Sequence, residues 1–138
     1  MNKKLLMILM AMTAISVSAQ RVVEWRGVDR TGTYNDSGLL KTWPEEGPTL
    51  LWSVDGIGEG YSQLGILDDK IYVTGMKGAN HMGFVSVIDM NGKLLQQKPY
   101  SQEWVGNYSG ARAAVTLNDG KLYQYSGHGV LTCMDAAT

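Results

Sequence analysis

Beyond the first twenty residues, apolar and polar positions alternate in short runs. In Lys70–Thr74, Ile71 and Val73 share one face and Tyr72 lies on the other, which is the period of two expected of a half-buried strand. Phe84 to Ile88 is apolar at every position but Ser86, the pattern of a strand covered on both sides. No later segment keeps a helical period for about ten residues, so the chain reads as all-β. The predicted strands are Leu50–Val54, Ser62–Leu67, Lys70–Thr74, Gly83–Asp89, Leu94–Lys98, Ala113–Leu117, Lys121–Ser126 and Val130–Met134. Asp68-Asp69, Asn91-Gly92 and Asn118-Asp119-Gly120 fall between strands as hairpin turns, with Asn91-Gly92 suited to the type I′ geometry. Arg21 to Thr49 keeps no period and is broken by glycine, proline, asparagine and aspartate. It reads as an extended arm crossing the sheet surface.

The strand plan occurs twice. LGILDDKIYVTG and FVSVIDMNGK are followed by AAVTLNDGKLYQYSG and VLTCMDAAT. Lys70 and Tyr72 correspond to Lys121 and Tyr123 at an offset of 51, and Asp89 corresponds to Asp135 at an offset of 46. The difference arises from extra loop residues around Ala79 to Met82. A period of this size built from strands indicates a repeat architecture, and with β units a propeller.

The repeated residues resemble the pyrroloquinoline-quinone-like (PQQ-like) β-propeller family, whose motif AxDxxTGK is followed by a tryptophan at the end of the next strand. Cys133 to Thr138 matches the first six motif positions, with Cys133 where the family has a small buried residue. Asp89-Met90-Asn91-Gly92-Lys93 resembles a shortened version, KIYVTG and KLYQYSG resemble the second strand, and Trp52 matches the terminal tryptophan. Asp89, Gly92, Asp135 and Trp52 are thus the structural motif residues, while Gln96 stands where the first full repeat should carry its tryptophan. The resemblance covers about Trp25 to Thr138. It implies a partial β-propeller of four-stranded antiparallel blades: Leu50–Val54 as one closing strand, a full blade at about 61–99, and three strands of a second at about 108–138. A closed propeller needs at least four blades. The resemblance therefore implies an N-terminal piece, with the remaining blades in the same parent chain. A short protein completed by oligomerisation is the other reading.

The N-terminus changes the compartment. Asn2-Lys3-Lys4 precedes an apolar run from Leu5 to Ile15, too short to span a bilayer, and small residues end at Ala19. This predicts a signal peptide over 1–19, cleavage between Ala19 and Gln20, export to the periplasm or beyond, and no membrane span afterwards. Three regions follow: the leader, an irregular arm over 20–49, and the repeats over 50–138. Removing Lys3 and Lys4 leaves 10 basic residues against 13 acidic, a net charge of −3. No basic stripe remains to grip nucleic acid. The lone Cys133 cannot form an internal disulfide, so stability has to come from burial and pairing. It reads as a packed core thiol.

Candidate chemistry is sparse. Gly56-Ile57-Gly58-Glu59-Gly60 lacks both the spacing and the following helix of a phosphate loop, and reads as a connection. Asp89-Met90-Asn91-Gly92 opens like a calcium loop but lacks the later ligands. There is no G-x-S-x-G, no H-E-x-x-H and no paired-carboxylate arrangement. The sequons at Asn35 and Asn107 matter only in a eukaryotic secretory pathway.

His81 and His128, 47 residues apart, fall on equivalent loops. Tyr61, Ser62, Trp104, Tyr108, Ser109 and Arg112 lie in the segments leading into each innermost strand, which border a propeller's channel mouth. Aromatic rings beside an arginine can stack on a sugar or planar ligand and clamp an anion, although such rings also serve as wedges between blades. The candidate ligand face is accordingly Tyr61, Trp104, Tyr108, Arg112, His81 and His128, with no catalytic or metal-binding residue assigned. The leading expectation is an exported binding or scaffold module for a protein, small-molecule or carbohydrate ligand. The resemblance also allows an N-terminal piece of a quinoprotein alcohol or sugar dehydrogenase, with PQQ and calcium as cofactors. A carbohydrate-binding propeller is the third reading.

Overall fold

The computed structural model describes residues 23–34 and 36–137. The leader, its cleavage point and Asn35 lie outside these residues. Seven strands follow a short 3-10 turn at Val28–Arg30: β1 (Gly65–Leu67), β2 (Lys70–Lys77), β3 (Met82–Asp89), β4 (Leu94–Gln102), β5 (Thr116–Asn118), β6 (Lys121–Tyr125) and β7 (Leu131–Asp135). They form two antiparallel sheets, one in the order β1-β2-β3-β4 and one in the order β5-β6-β7. The fold of the described residues is all-β, and the two sheets do not close on each other.

The two sheets share a pairing register. Lys70 opposes Asp89 in the first sheet, and Lys121 opposes Asp135 in the second. Asp89 Oδ1 accepts the backbone N–H groups of Asn91 and Lys93, each at 2.9 Å. Asp135 Oδ1 likewise accepts the N–H of Ala137 at 2.9 Å. Both aspartates therefore make the same local turn bond, in which a short carboxylate satisfies backbone donors that the ladder leaves over.

The two sheets stack front to back. Tyr72, Val85 and Val87 of the first meet Val115, Leu117 and Leu122 of the second in one buried core. Ile66 and Ile71, which pair in the first sheet as Leu117 and Leu122 do in the second, point from the opposite face of the first sheet. The front of the first sheet thus receives the back of the second. The continuous apolar run in β3 follows from this placement, since Val85 and Val87 face the second sheet while Ser86 and Ile88 are buried on the other side.

A strap covers that other side. Residues 52–58 run across it without forming a strand. The Trp52 indole packs against Gly92, and its Nε1–H donates to Met90 O at 3.1 Å. Gln97 Nε2 donates to Gly56 O at 3.1 Å. At Gly75 a Cβ would sit 2.0 Å from Ile57 O, so the strap needs a glycine under it. The strand expected at Leu50–Val54 is therefore replaced by an extended segment whose Leu50 and Leu51 face solvent. Its alternation suits a strand, but among the described residues nothing pairs with its backbone.

Three further expectations change. The strand placed at Ser62–Leu67 is divided: Glu59 and Met76 exchange backbone bonds, Ser62 Oγ takes up the N–H of Thr74 at 3.3 Å, and regular pairing begins only at Gly65. At Asn91-Gly92 only Gly92 has positive φ, 83°. The turn is a three-residue loop closed by a left-handed glycine, with the register shift that accompanies it, rather than type I′. Cys133 is exposed and not in the core. It lies on the front of the second sheet, the face that Val87 occupies in the first, and among the described residues no third sheet covers it.

Asp68 and Asp69 form a type I′ turn, with φ of 49° and 57°. The equivalent turn in the second sheet uses Asp119 and Gly120. A left-handed non-glycine residue costs roughly 1–2 kcal/mol, of which a glycine returns about half through its freer unfolded state. Asp69→Gly should therefore stabilise the protein by about 0.5 kcal/mol in chemical denaturation. Gly75→Ala should release the strap, and limited proteolysis should then cut within residues 52–58 while circular dichroism keeps the β signal.

Candidate functional site

The turns at Asp68-Asp69, Met90–Gly92 and Asp119-Gly120 occupy one end of the sheets, and the connections β2–β3, β4–β5 and β6–β7 occupy the other. His81, Trp104, Tyr108 and His128 all belong to these latter connections. Tyr61 joins them because its N–H donates to Ala111 O at 2.7 Å, next to Arg112. The topology therefore brings all six candidate residues to one end of the molecule, the loop end.

The contacts there centre on Trp104. Its ring meets the His128 imidazole edge to face, with centroids 5.8 Å apart and planes inclined by 62°. Its Nε1–H donates to Asn107 Oδ1 at 3.3 Å. A Cβ on Gly127 would fall 2.7 Å from the Trp104 Cβ, so the β6–β7 turn can approach this closely only with glycine. Arg112 Nη2 donates to the backbone carbonyls of Asn107 and Tyr108. One face of the guanidinium fork is thus committed to bracing the loop that carries Trp104 and Tyr108. The aromatic surface remains open: Tyr61, Trp104 and Tyr108 are 67%, 43% and 77% exposed.

Beneath this surface lies a residue that the sequence did not single out. Glu103 is 1% exposed. One carboxylate oxygen accepts the Tyr100 hydroxyl, and the other accepts the N–H of Gly127 at 2.7 Å. Its own N–H donates to His81 O at 2.9 Å. Glu103 therefore ties β4 to the β2–β3 and β6–β7 loops, and it fixes the base on which Trp104 and His128 stand. A single carboxylate after a strand carries no periodic signal, and two of its three partners lie 22 and 24 residues away.

A second concavity lies elsewhere. The arm crosses the edge of β1 and leaves a cleft of about 660 Å³, lined by Val23, Tyr34, Leu64 and Ile66 with Glu24 and Asp36 at its polar positions. Val23 pairs with Leu117 across both backbone bonds at 2.9 Å, which anchors the arm to the second sheet. Among the described residues no group of three or more His, Cys, Asp or Glu side chains is placed to hold a metal. No helix among them is long and apolar enough to cross a membrane. Comparison of the chain with protein-family models, curated proteins and solved structures finds no match.

Burial raises the Tyr100 hydroxyl above its ordinary value of 10.0, and the Glu103 carboxylate that accepts its proton raises it further. A group whose pKa is higher folded than unfolded contributes stability below its unfolded pKa and loses it as pH climbs beyond. The denaturation midpoint should fall above about pH 10, and less steeply in Tyr100→Phe than in the parent. At neutral pH that substitution should cost about 1–3 kcal/mol, because it strands a buried carboxylate oxygen.

Proposed function

We propose that this chain is an exported binding module built on PQQ-like propeller repeats, with the loop end as its contact surface. The observation that carries the reading is the set of exposed rings of Tyr61, Trp104 and Tyr108 at one end of a rigid pair of sheets. Elsewhere large exposed apolar side chains need only mark interfaces or solvated arms, but Trp104 is held in place by His128, Asn107 and Gly127. A preorganised ring loses little freedom on binding, so more of its contact energy appears as affinity. Flat apolar faces rimmed by hydrogen-bonding groups suit such a platform, and a sugar ring presents that combination. The front-to-back stacking of repeat-equivalent faces supports the propeller part of the reading.

The test is binding to a glycan array, followed by titration of the selected glycan with Trp104→Ala. Removal of one stacking ring should weaken binding at least about tenfold, since an aromatic contact of this kind contributes roughly 0.5–1.5 kcal/mol beyond its buried area. Trp43→Ala, a change on the exposed arm, should leave affinity unchanged. Equal binding by the parent and Trp104→Ala would remove the loop end as the contact surface.

A further inference from the structure

Where the arm crosses the edge of β1 it builds a concave site of its own, and none of the six loop-end residues lines it. The cleft of about 660 Å³ falls within the roughly 300–1,000 Å³ of small-molecule sites. Val23, Leu64 and Ile66 give it an apolar floor, and Tyr34 supplies an aromatic wall. Glu24 and Asp36 add two carboxylates. Among the described residues that line the cleft there is no lysine or arginine.

The walls are held in place. Gln63 ties the arm to the sheet with both ends of its amide: Oε1 accepts the N–H of Arg26 at 3.2 Å, and Nε2 donates to the Tyr34 hydroxyl at 3.4 Å. A Cβ on Gly27 would stand 3.0 Å from the Tyr34 ring, and one on Gly65 would stand 3.0 Å from Val23 Cγ1. Glycine at both points lets the arm seat closely, and at Gly27 it also suits a φ of 74°. Backbone bonds close the arm's loop on itself, from the N–H of Gly27 to Glu24 O at 3.1 Å and from that of Gly32 to Arg26 O at 2.9 Å. A cleft built in this way needs little ordering when a ligand enters.

Charge then selects the occupant. Arg30 Nε reaches Glu24 Oε2 at 3.3 Å, but the Arg30 side chain is 70% exposed and lines none of the cleft. Arg26 lies over the Trp25 ring instead, 5.2 Å from its centroid. An anion in the cleft would meet two like charges, and a neutral apolar molecule would take water from the carboxylates without pairing them. We infer that the cleft binds a small organic cation, an amine with an apolar body. The body lies on Val23, Leu64 and Ile66, and the charged nitrogen pairs with Glu24 and Asp36. The face of the Tyr34 ring adds a cation–π attraction. This site is independent of the ligand of the loop end.

Three probes of similar size and different charge test this on the full chain by NMR titration at neutral pH: phenethylamine, phenethyl alcohol and phenylacetate. The amine should bind about tenfold more tightly than the alcohol, and phenylacetate most weakly. The preference for the amine should narrow at high salt, since the carboxylates are partly in water. Intermolecular nuclear Overhauser effects should join the phenyl ring of the amine to the Leu64 and Ile66 methyl groups. Glu24→Gln/Asp36→Asn should bring the amine down to the affinity of the alcohol and leave the alcohol unchanged. Asp36→Asn alone, which keeps the Glu24–Arg30 pair, should narrow the gap. An amine that does not bind, an alcohol or phenylacetate that binds as tightly, Overhauser effects to other methyl groups, or a double variant that keeps the parent's preference would each overturn the inference.

Discussion

The packing of Tyr72, Val85 and Val87 against Val115, Leu117 and Leu122 is the contact on which both sheets depend. A three-stranded sheet with short β5 has little stability by itself, and a four-stranded one with a single covered face is not much better placed. Fully burying one large aliphatic side chain contributes roughly 1.5–3 kcal/mol, and Val85, Val115, Leu117 and Leu122 are each at most 1% exposed. Polar ties then fix how the sheets sit. Thr74 Oγ1 donates to Ala113 O at 3.2 Å and Thr132 Oγ1 to Tyr100 O at 3.3 Å. Each of these bonds satisfies a group that the core would otherwise leave dry, so they specify the stacking more than they drive it.

The loop end inherits its rigidity from that stacking. Glu103 reaches Gly127 only because β4 and β6 belong to sheets held at a fixed separation. His128 meets Trp104 for the same reason. A buried carboxylate with both oxygens occupied is costly to disturb, and this one sits directly beneath the exposed aromatic residues. The candidate surface is therefore no set of loops that happen to lie together. It is the upper layer of the inter-sheet contact.

Most of the strand plan was legible because its signals are local. Alternation in Lys70–Thr74 and the turn chemistry of Asp68-Asp69 and Asp119-Gly120 act within a few residues, and the structure places β2, β6 and their hairpins accordingly. In each sheet the lysine after the first turn pairs with the aspartate that ends the third strand, Lys70 with Asp89 and Lys121 with Asp135. His81, Trp104, Tyr108 and His128 come to one end because the β2–β3, β4–β5 and β6–β7 connections emerge on the same side of the sheets. Illegible were the features decided by distant partners. Leu50–Val54 has the composition of a strand, yet pairing requires a neighbour that its own residues cannot provide. Cys133 occupies a position that is buried in the first sheet, and its exposure depends on what lies beyond the front of the second. Glu103 escaped notice because burial of a lone carboxylate follows from tertiary geometry and leaves no pattern in the chain.

One difference between the strap and β4 shows how a single position alters the join. Trp52 places its indole on the β3–β4 turn at Gly92 and donates to Met90 O, tying the strap to the first sheet with an apolar ring and a hydrogen bond together. The corresponding position in β4 is Gln96, and the turn it would be expected to reach begins at Asp135. There the connection is made by Lys98, two residues further along, whose Nζ bonds Asp135 O although the side chain is only 8% exposed. An ammonium on a backbone carbonyl replaces a ring on a glycine. Dehydrating the charge offsets much of what that bond returns, whereas the indole gains from the same loss of water. The second join is thus the more polar of the two, and the stacking of the sheets leans correspondingly on Leu117 and Leu122.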